Sequence, residues 1–179
     1  MAARRTMPSR RSKPRSPEAG SLKPTKKTRR TDHAERLIAA PLVDVFAAFT
    51  SAAKLARWLP PEGATGTFEH VDLRAGGGFL MRLTFDDPDV ETKSDDDSDV
   101  VEVYIPTLDD GRLVVWQVEF ESDDPRFSGT MAMHWYLSRQ GGGTLVTIDA
   151  HHVPPGISAK DHEAGLNSSL ANLAAVVEG

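Results

Sequence analysis

Five segments between Phe79 and His152 alternate apolar and polar residues with period two, and at Ser158 the chain switches to the three- and four-residue spacing of a helix. Phe79, Met81, Leu83 and Phe85 alternate with Leu80, Arg82 and Thr84, and Val101, Val103 and Ile105 with Glu102 and Tyr104. Val114, Trp116, Val118 and Phe120 follow the same rule, then Met131, Met133, Trp135 and Leu137, then Val146, Ile148, Ala150 and His152. Strands of this kind have one apolar face, and a series of them predicts an antiparallel sheet with a single buried side. The C-terminal stripe of Leu166, Leu170, Leu173, Ala174 and Val177 needs a partner surface, and only the concave side of that sheet is large enough. Ser158 is placed as the N-cap of this helix, with Asp161 in its first turn and Gly179 beyond its end.

Upstream, residues 32–40 read as a short strand stopped at Pro41. Leu42, Val45, Phe46 and Phe49 then mark a helix with Asp44 in its first turn, and Ala52 to Leu59 a second helix halted by Pro60 and Pro61. A further strand starts near Thr65. The order is strand, two helices, six strands and a long helix, which is an α+β domain.

Residues 1–30 do not share this patterning. They hold 11 Lys or Arg against the single acid Glu18, whereas residues 31–179 hold 10 against 25 acids, so the net charges are +10 and −15. Rich in Pro, Ser, Arg and Lys, the first segment is expected to be a disordered basic tail able to contact anionic partners, and the domain spans residues 31–179. The acidic body argues against a nucleic-acid groove. The chain has no cysteine, which removes thiol nucleophiles and cysteine-ligated metals. No apolar run reaches the roughly 20 residues of a membrane span, and a cytoplasmic location is expected.

Several local motifs invite chemistry and fail on detail. The acidic run from Asp86 to Val100 lacks the glycine and closing glutamate of a calcium-binding EF-hand loop and reads as a solvated hairpin. Gly76, Gly77 and Gly78 lead into a strand, not into a helix opening with Lys and Ser or Thr, so they read as a turn or bulge and not as a phosphate loop. His151 and His152 are adjacent on a strand and point to opposite faces, which opposes a shared metal with His162. No metal, cofactor or catalytic residue is expected.

Four stretches carry a family resemblance: IAAPLVDVFAAFTSAAKLARWLPPEG (38–63), FEHVDLRAGGGFLMRL (68–83), LVVWQVEF (113–120) and DHEAGLNSSLANLAAVVE (161–178). Together they resemble the SRPBCC (START-like, Bet v-like, helix-grip) superfamily, and within it the AHSA-like homologues of the activator of heat-shock protein 90 ATPase. The resemblance implies a bent antiparallel sheet gripping the C-terminal helix, with a cavity between them for a small hydrophobic molecule. Strand phase then selects the lining: Met81, Leu83, Trp116, Val118, Met133 and Trp135 from the sheet, Leu166, Leu170 and Leu173 from the helix, Trp58 from the second short helix, and His152 as the one titratable group placed inside. Two alternatives stay open. The resemblance also implies a co-chaperone stimulating a chaperone ATPase, although residues 1–30 do not match the family's activating motif. Cyclases, dehydratases and hydrolases of the wider superfamily imply an enzyme using the same cavity.

Overall fold

The computed structural model describes residues 30–87 and 98–179. The expected tail therefore lies outside the described residues except at Arg30, as does most of the acidic run after Asp87.

The chain forms β1 (Thr31–Ile38), α1 (Leu42–Thr50), α2 (Ala52–Trp58), β2 (Ala64–Asp72), β3 (Gly78–Phe85), β4 (Ser98–Asp109), β5 (Leu113–Phe120), β6 (Gly129–Gln140), β7 (Gly143–His151) and α3 (Ala159–Glu178). The strands build one antiparallel sheet in the order β1-β7-β6-β5-β4-β3-β2. Register shifts between Phe68 and His70 in β2, and between Tyr104 and Thr107 in β4, are the bulges that bend it. The strand, two helices, six strands and helix order of the sequence reading is the observed order. The fold is α+β of the helix-grip type.

Two of the three helices start at a serine cap. Ser158 Oγ accepts from the Asp161 backbone N–H at 3.0 Å and opens α3, and Ser51 Oγ accepts from Lys54 N–H at 3.4 Å and opens α2. Pro41 precedes α1 without a side-chain bond, and Asp44 supplies the acid of the first turn. The helices bury Val45, Ala48 and Phe49 from α1, Leu55 and Trp58 from α2, and Leu166, Leu170, Leu173 and Ala174 from α3. These meet the inward residues of the strands in one apolar core.

The three glycines after Arg74 act as the turn reading expects. Gly76 adopts a φ of +84°, its N–H donates to Ile105 O at 2.8 Å, and Ile105 N–H donates to Gly77 O at 2.9 Å. A Cβ on Gly78 would collide with the Val103 carbonyl oxygen, so β3 and β4 approach closely only because a side chain is missing there.

Candidate functional site

The inward residues of the strands divide into a closed part and an open part. In the closed part, Phe49, Trp58, Phe79, Trp116 and Trp135 form an aromatic cluster between the helices and the sheet. Trp58 stacks on Trp116 with centroids 5.9 Å apart, and Trp116 meets Trp135 at 5.2 Å and 60°. Offset and edge-on contacts of this kind add to the burial of the rings themselves. Of the residues expected to line a cavity, Trp58, Met81, Leu83, Trp116, Trp135, Leu166, Leu170 and Leu173 all belong to this packed core.

The three indoles are not equivalent. Trp58 Nε1 donates to the Ala48 carbonyl at 3.0 Å. Ala48 lies in the last turn of α1, where a carbonyl has no helical partner, so this bond closes the helix end. Trp116 Nε1 and Trp135 Nε1 are buried and have no hydrogen-bond partner.

The open part lies at the end of the concave face where α3 begins. Met131, Ala150 and Val153 are buried there with Val118, Phe120, Met133 and Ile157 packed around them, and Val118 and Met133 join this small cluster to the main core. This cluster leads to a cavity of about 690 Å³ lined by Phe120, Phe127 and Ile157, with Glu121, Ser122, Asp123 and Asp124 at its edge. Val118 and Met133, the remaining strand residues expected to line a cavity, sit here. The alternation of β7 does not reach His152: the strand ends at His151, and His152 takes a φ of +61° and is exposed, away from the lining. A backbone in the left-handed region breaks the pleat, which is why phase counting misplaces this residue.

Two segments frame the open end. The loop from Glu121 to Ser128 is fixed by Asp124, which accepts from Arg126 N–H at 2.9 Å and pairs with its guanidinium at 2.6 Å. The Arg126 guanidinium holds the Asp124 carboxyl below the ordinary carboxylate range, so the edge stays negative. The connection from β7 to α3 joins this loop through Gly156 N–H donating to Arg126 O at 2.7 Å, with Phe127 packed over Gly156. Arg30, read from sequence as the last residue of the tail, donates to Ile157 O at 2.7 Å and pairs with Asp32 at 2.9 Å. Asp32 Oδ2 also lies 2.7 Å from His162 Nδ1, which ties the first turns of α3 to β1.

The outer face of the sheet carries a cluster that sequence reading passed over. Register places His134 opposite Asp149, and Asp149 opposite His33. His33 Nδ1 lies 2.7 Å from Asp149 Oδ1, His134 Nδ1 lies 3.2 Å from the Tyr136 hydroxyl, and the His134 and His151 rings are 4.7 Å apart. Burial and the neighbouring His151 push the His134 imidazole down, against an opposing pull from Asp149. Among the described residues, no group of three or more His, Asp or Glu side chains is arranged to hold a metal. A second cavity, of about 730 Å³, also lies on the outer side, around Leu80, Glu102, Tyr104, Gln117 and Glu119. Among the described residues, no helix is long and apolar enough to cross a membrane.

No curated protein matches the chain. Among solved structures, a protein of Chromobacterium violaceum is 27% identical, with a TM-score of 0.71 over 83% of this chain and 97% of its own. An AHSA1-like protein from Aeromonas hydrophila is 17% identical, with a TM-score of 0.66 over 83% of this chain and 92% of its own. A Nitrosomonas europaea protein is 20% identical, with a TM-score of 0.64 over 83% of this chain and 94% of its own. The last two show a shared fold. The family described as activator of Hsp90 ATPase homolog 1-like protein matches residues 39–178, which include α1, α2, the described parts of β2 to β7, and α3, and the chain belongs to that family.

Proposed function

We propose that the domain binds a small hydrophobic molecule on the concave side of its sheet, received at the end bounded by Phe120, Phe127 and Ile157. The observation that carries this reading is the continuation of the apolar concave surface beyond the packed core into the 690 Å³ cavity. Closed domains end their apolar faces under a helix or loop. Here Phe127 remains 41% exposed beside half-buried Phe120 and Ile157.

The two parts of the concave face divide the work. Val118, Met131 and Met133 pack behind Phe120 and Ile157, and their thioether side chains can repack to admit ligands of different shape. Trp116 and Trp135 stand one register step further in, because Trp116 pairs with Met133 and Val114 with Trp135. The cavity is apolar at Phe120, Phe127 and Ile157 and polar at its edge, at Glu121, Ser122, Asp123 and Asp124. Thr144 is the one buried polar residue among the described residues, and its hydroxyl is committed to the Ala40 carbonyl at 2.9 Å.

Titration with N-phenyl-1-naphthylamine, combined with native mass spectrometry and denaturing extraction of the purified protein, tests the reading. Saturable one-to-one enhancement of the dye, weakened by Phe127→Ser and Ile157→Ser, is expected. A protein that neither retains a small molecule nor enhances the dye refutes it. The family description favours a second reading, stimulation of a chaperone ATPase, whose measure is the ATPase rate of a purified chaperone with and without this protein.

A further inference from the structure

We infer that the molecule received on the concave face is uncharged and carries a hydrogen-bond-acceptor oxygen, a carbonyl or an ether, that takes the indole N–H groups of Trp116 and Trp135. This inference rests on the binding reading above and adds the chemical class of the ligand. It starts from the two buried donors that the protein leaves without an acceptor. Trp116 and Trp135 are 2% and 1% exposed, so water outside the domain does not reach them. A buried donor without a partner is costly, and native cores avoid it except where something else supplies the acceptor.

The same cluster contains its own control. Trp58 is equally buried, yet its indole is bonded to the Ala48 carbonyl. The fold thus satisfies the indole that faces α1 and leaves without an acceptor the two that belong to β5 and β6. Those two strands also supply the open end: Trp116, Val118 and Phe120 run along β5 from the core to the cavity, and Trp135, Met133 and Met131 run beside them on β6. A ligand that enters at Phe120 and parts the packed side chains along this track would set its apolar body against Val118 and the two methionines and its oxygen at the indoles.

Charge is selected against at both ends of the track. Glu121 and Asp123 border the cavity and repel an anion on approach, while the charge of Asp124 is matched by Arg126. Among the described residues the one buried polar side chain is Thr144, so no buried Lys, Arg or His stands ready to neutralise a buried carboxylate. Two neutral donors in an apolar wall are matched by a neutral acceptor.

The test compares acetophenone, ethylbenzene and benzoate, which share size and differ in the oxygen and its charge. In a heteronuclear spectrum of the nitrogen-15-labelled protein, acetophenone is expected to move the Trp116 and Trp135 indole protons downfield, with Trp58 unmoved. Ethylbenzene should bind without that shift, and benzoate should not bind. In the Trp116→Phe and Trp135→Phe double variant, the affinity for acetophenone relative to ethylbenzene is expected to fall about tenfold, the worth of one or two hydrogen bonds. Ethylbenzene corrects for the space the substitutions create. The spectrum of the unsubstituted protein decides the matter if the double variant does not fold.

If acetophenone and ethylbenzene bind with the same ratio in both proteins and the indole protons stay put, the indoles are satisfied by neighbouring ring faces. The acceptor inference then fails while the binding reading stands. Binding of benzoate as tight as acetophenone overturns the uncharged class. If neither neutral compound nor N-phenyl-1-naphthylamine binds, the inference falls together with the reading on which it rests.

Discussion

Two substitutions of the same chemistry in the same cluster, Trp58→Phe and Trp116→Phe, should have unequal costs. Both replace an indole by a smaller ring at a buried site within the same set of rings. By comparison with larger truncations, the lost packing should cost roughly 1–2 kcal/mol in each case. They part at the hydrogen bond. Trp58→Phe strands the Ala48 carbonyl at the end of α1, which adds about 1–3 kcal/mol for a buried acceptor left unpaired. Trp116→Phe removes a donor that has no partner, so the desolvation of that group is recovered. The difference in stability between the variants is about 2 kcal/mol or more, with Trp58→Phe the weaker protein. Thermal melts followed by far-ultraviolet circular dichroism, which does not depend on indole fluorescence, should separate them by roughly 4–8 °C for a domain of this size. Equal destabilisation would refute the reasoning, because the two indoles would then be equally satisfied in the native protein.

Three further outcomes follow from other parts of the molecule. Gly78→Ala drives a methyl group into the Val103 carbonyl of the neighbouring strand and should cost about 3 kcal/mol or prevent folding, whereas Gly142→Ala, with open space at its Cβ position, should be nearly neutral; urea denaturation compares them. His134 titrates below an ordinary imidazole in the folded protein because of burial first and the His151 charge second, so below the unfolded value of about 6.5 the unfolded chain binds the extra proton and stability falls with pH. His134→Gln should flatten that part of the melting-temperature profile between neutral pH and pH 5, and an unchanged slope would show that the outer cluster is not responsible. Removing residues 1–29 should leave the melting temperature unchanged and abolish salt-sensitive retention on an anionic resin, while also removing Arg30 should lower stability through the lost Asp32 pair.

The architecture was legible because its driving force is written with a short period. A strand with one buried face must alternate, and Phe79 to Phe85, Val114 to Phe120 and Met131 to Leu137 do so apart from apolar outward residues such as Val115, which is enough to orient their side chains. Family resemblance then supplied the curvature that periodicity does not encode. The open end was less legible, since Phe120, Phe127 and Ile157 come from a strand end, a loop and a connection with no shared period. His134, Asp149 and His33 meet only through the registers of three strands, a long-range property invisible in any window of sequence. His152 shows the opposite failure: a good local rule was extended one residue past the point where the backbone turned left-handed.

On the proposed binding reading, where the domain would yield to a ligand depends on which of its closures is weaker, and Asp32→Ala addresses that directly. Asp32 Oδ2 receives Arg30 Nη2 at 2.9 Å and lies 2.7 Å from His162 Nδ1, with the Asp32 side chain 11% exposed. Its removal leaves two donors short of a partner and should cost about 1–3 kcal/mol. At its other end, α3 is held by Leu170, Leu173 and Ala174 in the core and by Glu178, whose carboxylate accepts the Ala39 N–H at 2.8 Å. The loss is therefore local to the first turns of α3 and to Ile157, which Arg30 also fixes. Hydrogen exchange in the variant should rise over residues 157–164 and stay unchanged over 166–178, and N-phenyl-1-naphthylamine should associate faster because the Ile157 wall is freed. Exchange rising uniformly along α3 would mean that the helix detaches as a unit. In that case the route to the concave face runs under the helix, and the open end marked by Phe120, Phe127 and Ile157 is not the entrance.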